Sequence, residues 1–140
     1  MASILKVDEL QGIVSAGDIT VTSEGGSATQ SLQQGLAKAW INFNGTGTIA
    51  ARDSLNISSQ SDDGTGLYTM TYTNAFNNDD YVGSGLSRTP GVASGGTAQF
   101  PSSSDSNQTT TSAQHYTVNA IGGSAADFSH NHIIIHGDLA

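Results

Sequence analysis

Cysteine is absent, so no disulfide staples this chain and its redox compartment is left open. Charge is scarce, at 11% of residues, and cations are scarcest: 4 Lys plus Arg against 12 Asp plus Glu, a net charge of −8. Nucleic-acid binding needs clustered cations to neutralise phosphates, and four scattered ones exclude it. No apolar run approaches the length of a membrane span, and the amino terminus lacks a signal-peptide core. Membrane insertion and export by that route are therefore not expected. Also missing are a Gly-x-Ser-x-Gly elbow, a phosphate loop and any poised catalytic constellation, so we expect no enzyme and no cofactor.

What the chain does have is 17 glycines in 140 residues, many serines, threonines and asparagines, and 36% hydrophobic residues. Disordered chains combine low hydrophobicity with heavy charge, whereas here the apolar residues are patterned. Thr fits a pleated surface, and Gly, Asn and Ser make turns, so the composition suits a folded β protein. The length is that of one domain with a sizeable core, with room for an arm.

The pattern is clearest in Ala39-Trp40-Ile41-Asn42-Phe43-Asn44-Gly45-Thr46-Gly47-Thr48-Ile49-Ala50-Ala51, which holds the only tryptophan. Ile41, Phe43 and Ile49 share one parity, and Asn42, Asn44, Thr46 and Thr48 take the other, as in a strand with one buried face. Gly45 and Gly47 inside it indicate a bulge, a bend or a close backbone approach. Before it, Ser27-Ala28-Thr29-Gln30 fits a capping box, and Leu32, Leu36 and Ala39 or Trp40 follow at helical spacing. The spacing predicts a helix of about a dozen residues over 27–39, marginal alone in water because of its length and Gly35. Earlier still, Gly17 to Thr22 reads as a short strand ended by Gly25-Gly26. Ile4, Leu5, Val7 and Leu10 lie in an unframed segment, either a frayed terminus or an arm that docks on something.

Further strands are expected at Asp53–Ser59, with Leu55 and Ile57 on one face, then at Leu67–Thr73, Tyr81–Leu86, Thr97–Phe100, His115–Ile121 and around Ile133–Ile135. Ser61 to Gly66 reads as a turn with Asp63-Gly64 as its hairpin signal, and Asn77 to Asp80 as a polar turn. Residues 87–112, with Pro90 and Pro101, read as loops around one strand. The expected architecture is mainly β: an antiparallel β-sandwich of about eight short strands over 40–140, preceded by an arm with a short strand over 1–26 and a short helix over 27–39.

Candidate chemistry is thin. His130, His132 and His136 share a strand face with Ile134, and the first two are placed to reach one metal ion, but no Asp, Glu or Cys completes a site. Asp62-Asp63-Gly64 and Asn77 to Asp80 offer oxygens to calcium without the spacing of an EF-hand loop, and turn chemistry explains both. Asn44-Gly45-Thr46, Asn56-Ile57-Ser58 and Asn107-Gln108-Thr109 match the glycosylation pattern, as chance provides in so Asn- and Thr-rich a chain. A carbohydrate-binding module would need exposed aromatics for stacking, and Tyr68, Tyr72, Tyr81 and Tyr116 are the candidates.

Residues 39–76, AWINFNGTGTIAARDSLNISSQSDDGTGLYTMTYTNAF, carry a resemblance. Trp40 to Thr48, Asn56-Ile57-Ser58-Ser59, Gly64-Thr65-Gly66 and Tyr68-Thr69 resemble, in order and spacing, a segment recurring in tail-fibre-like and accessory virion proteins of tailed bacteriophages, notably marine ones. The opening Ala2 to Asp8 is similar to starts in such proteins. Leu67, where that family tends to have Asp, and the 87–112 loop depart from it. The resemblance implies a virion component assembled in the host cytoplasm. It would be a homotrimer with a β-sandwich body, short because 140 residues leave no room for a long shaft. Its partners would be other virion proteins of capsid, neck or tail, with a host surface glycan as the alternative. Docking and oligomer contacts would bury Ile4, Leu5, Val7, Leu10, Leu32 and Leu36. The shared motif is structural and brings no active site.

Overall fold

A computed structural model describes residues 4–15, 19–89, 96–99 and 107–140, with 97–99 described by backbone alone. Gly17-Asp18 of the first expected strand, Pro90, Pro101, Phe100 and much of the 102–112 tract lie outside the described residues. The chain divides into two compact units, Met1–Leu36 and Ala37–Ala140.

In the first unit, residues 4–15 form neither helix nor strand. Strands β1 (Thr20–Thr22) and β2 (Thr29–Ser31) pair antiparallel, with Thr22 opposite Thr29. The turn between them closes through Ser23 N–H to Ala28 O at 2.8 Å, with Gly26 in the left-handed region. The helix expected over 27–39 is a single turn, α1 (Leu32–Gly35). Ser31 rather than Ser27 is its N-cap, its Oγ accepting from Gln34 N–H, and the chain is already extended at Leu36. The capping box lost because Thr29 and Gln30 pair across to β1, where a β-branched residue fits, while Ala39 and Trp40 are taken into the next strand.

The second unit is one antiparallel sheet with strands β3 (Ala39–Asn44), β4 (Ala50–Leu55), β5 (Ile57–Gly64), β6 (Leu67–Tyr72), β7 (Val82–Arg88), β8 (Gly96–Gln99), β9 (Ser112–Asn119) and β10 (His130–His136). Its order is β4-β3-β10-β7-β8-β9-β6-β5, and it folds over so that β3 and β10 face β6 and β9, a β-sandwich-like arrangement. Period-two alternation decides the inner face. Ala39, Ile41 and Phe43 of β3, Tyr68, Met70 and Tyr72 of β6, and Ile133 and Ile135 of β10 are all buried. Phe43 meets Tyr68 edge-on with ring centroids 5.1 Å apart, which places the two layers in direct contact.

Two expectations are corrected here. Asp53–Ser59 is not one strand: Asn56 takes φ +57°, a left-handed position that Asn tolerates, and the chain passes there from one edge strand, β4, to the other, β5. Asn56 Oδ1 accepts from Asn74 N–H at 2.7 Å and its Nδ2 donates to Asn74 O, latching this crossing to the turn after β6. Within the turn expected over 61–66, the β5–β6 hairpin turns at Thr65-Gly66 rather than at the Asp63-Gly64 signal, because a register shift between Asp62 and Gly64 absorbs the Asp-Gly pair into the strand.

Candidate functional site

The glycines in the tryptophan stretch have distinct roles. A Cβ on Gly45 would lie 2.4 Å from Tyr68 Oη and 2.8 Å from Asn131 Nδ2, so only glycine lets this buried backbone approach the tyrosine. Tyr68 Oη donates to Gly45 O or to Asp127 Oδ1, each 2.9 Å away, and Gly45 N–H donates to Phe128 O. Gly45 is thus required by packing, whereas Gly47 serves a turn at φ +66° with open space around it, and burial together with the Asp127 carboxylate raises the Tyr68 phenol above its ordinary value.

Tyr68, Tyr72 and Tyr81 are buried, so their rings have no free face for a sugar, and the stacking role expected of them is overturned. Tyr72, Phe76 and Tyr81 pack on one another, with the Phe76 and Tyr81 centroids 4.3 Å apart. Tyr81 Oη also reaches the carbonyls of Thr109 and Ser112. Tyr116 is half-buried on β9.

At the heart of the core lies a residue the sequence reading did not single out. His115 of β9 is fully buried, stacked on Tyr68 at 5.2 Å and edge-on to Phe43, and neither ring nitrogen has a hydrogen-bond partner. Burial pushes its pKa down to about 3, against a smaller opposing pull from the Asp63 carboxylate. Its parity with Ala113 and Thr117 was the signal that would have placed it inside.

Asp63 is a network centre. Its carboxylate accepts from Ser61, Thr69 and Gln114. Burial raises its pKa, but these hydrogen bonds outweigh that and hold it below the ordinary carboxylate value. The oxygens once offered to calcium are therefore engaged in pinning the hairpin. Of the second acidic turn, Asn78 Oδ1 accepts from Asp80 N–H, as turn chemistry requires.

The outer face of β3, β10 and β7 carries the three candidate histidines. Trp40 pairs with Ile134, which faces Ser84, and Asn42 pairs with His132, which faces Leu86. His130 faces Arg88, and His136 faces Val82. The His130 and His132 rings are 6.4 Å apart, and strand geometry puts His136 a further ~13 Å along from His132. Among the described residues no three His, Cys, Asp or Glu come together around a point a metal could fill. Burial, then the guanidinium charges of Arg52 and Arg88, lower the His130 pKa.

Comparison with protein-family models, curated proteins and solved structures returned no match. The geometry of the chain itself therefore carries the functional argument. Between Trp40, Leu86 and Ile134 the outer face forms a groove of about 400 Å³, with Asn42, Ser84 and His132 on its flanks. In the first unit Ile4, Leu5, Val7, Leu10 and Leu36 are exposed, and Leu32 is half-buried, so the aliphatic residues assigned to docking are open in the isolated chain.

Proposed function

We propose that this protein is a structural component of a bacteriophage virion, a short surface appendage or decoration subunit without catalytic activity, held on the particle by its N-terminal arm. The observation that carries the reading is the arm: Ile4 and Leu5 are each 78% exposed, in a chain whose β unit already encloses its own aromatic core. Aliphatic side chains in water at this density mark a surface that another protein covers. The phage resemblance of residues 39–76 supports the same reading, since those residues build β3 to β6 and the Gly45–Tyr68 approach, a body and not a reaction centre.

The test is loading onto particles produced without the protein. The full chain should sediment with them, and a chain lacking residues 1–26 should stay in the supernatant. Equal loading of both would overturn the anchoring role of the arm, and no loading of either would overturn the virion reading.

A further inference from the structure

Among the described residues of the second unit, nothing apolar covers the groove on the outer face of β3, β10 and β7. Leu86 is 68% exposed, Val82 67% and Ile134 43%, and with Trp40 they form an apolar strip on a sheet whose other face is the core. One end of the strip is cationic. Arg52 and Arg88 both stand there against His130, so half of the four Lys and Arg of a chain of net charge −8 are together. Arg52 donates to Ser129 O at 2.6 Å and lies 3.4 Å from Asn42 Oδ1, and neither guanidinium pairs with a carboxylate among the described residues. Asp53, opposite Asn42, is an acidic residue at this end of the strip.

An occupant must therefore be aliphatic over most of its length and acidic at one end. The chain contains such a segment, Ile4-Leu5-Lys6-Val7-Asp8-Glu9-Leu10, which is exposed and forms no helix or strand. We propose that the groove receives residues 4–10 of a second copy of this chain. Extended, those seven residues span roughly 20 Å, the same as β10 from His136 to His130 at ~3.3 Å per residue. Leu5, Val7 and Glu9 then share one side at two-residue steps. Leu5 and Val7 cover Ile134, Trp40 and Leu86, and Glu9 arrives among Arg52, Arg88 and His130. Such a contact is heterologous, arm to face, and closes into a ring when the rotation permits. The same Leu5 and Val7 cannot serve both contacts at once: the groove contact belongs to the free protein, and an arm that anchors on a particle has left the groove.

The experiment is the mass of the full chain by light scattering over a dilution series, with variants on each side. The parent should be a closed oligomer. Leu86→Asp and Leu5→Asp, both at exposed positions, should each leave a monomer with unchanged far-UV circular dichroism; Val82→Asp is the substitute should Leu86→Asp not fold. Glu9→Lys should weaken association about two- to fivefold at low salt, the range of an exposed ion pair, and Arg88→Glu added to it should restore it. A parent that is monomeric at every concentration, or an oligomer indifferent to Leu86→Asp, overturns the proposal. So does an oligomer broken by Leu86→Asp but not by Leu5→Asp, because the face would then meet something other than the arm.

Discussion

Replacing His115 isolates the energetic effect of one buried imidazole. The ring sits in the core with both nitrogens unpartnered and a pKa pushed from 6.5 to about 3. Its depressed value means that the native state holds the neutral ring while the unfolded chain takes up a proton below pH 6.5. The stabilisation is therefore complete above 6.5 and is lost as pH falls toward 3. At about 1.4 kcal/mol per pH unit, the wild type should lose about 2 kcal/mol between pH 7 and pH 5 from this group. With a urea slope of roughly 1–3 kcal/mol/M for a protein of this size, the unfolding midpoint should fall by about 1 M. His115→Phe keeps the stack on Tyr68 and removes the proton, so its midpoint should be flatter across the same window. Asp63 acts lower, since its depressed pKa stabilises above the ordinary value of 3.8 and is lost only as pH falls below it. His130 contributes in the same direction as His115 but equally to both proteins. The assay is urea unfolding followed by Trp40 fluorescence at pH 7, 6 and 5, with His115→Leu as a control for ring size. Parallel loss of stability in wild type and both variants would refute the assignment. At pH 7, removing two unpartnered nitrogens should leave His115→Phe no less stable than the parent.

Three further outcomes follow from the packing. Gly45→Ala puts a methyl into Tyr68 and Asn131 and should cost about 2–4 kcal/mol, read as a fall in thermal midpoint, because overpacking is added to a broken buried hydrogen bond. Tyr68→Phe, which keeps the ring but leaves Gly45 O without this donor, should cost about 1–2 kcal/mol in urea unfolding. Asn56→Ala loses both bonds to Asn74 and strains φ, so it should be less stable than wild type by about 1–2 kcal/mol and less stable than Asn56→Gly, which loses the bonds alone.

Much of this fold was legible because alternation is decided locally. Trp40 to Asn44 and His130 to His136 each show one apolar parity, and each places that parity inside. Long-range competition was not legible. Ser27 to Ala39 reads as a helix until β1 and the β3 ladder claim its ends, and Leu55 with Ile57 reads as one strand until Asn56 turns the chain. The tyrosines point the same way: alternation set Tyr68 and Tyr72 against threonines but could not say which face was wet. The outer-face cluster required register, since Arg52 lies far in sequence from Arg88 and His130, and only pairing through β3 and β10 brings them together.

The central place of β10 bears on how the molecule is made. It is the last strand in chain order, yet it lies between β3 and β7, and Ile133 pairs with an Ile41 about ninety residues earlier. Until residues 130–136 emerge from the ribosome, β3 and β7 expose the backbone edges that β10 will occupy, and the inner faces of Ile41 and Phe43 lack their neighbour. Contacts of such high sequence separation form late and slowly, so the core of this unit closes only after residues 130–136 have been made. In the interval β3 and β7 each present one unpaired edge, and a chaperone that shields extended segments has its window there.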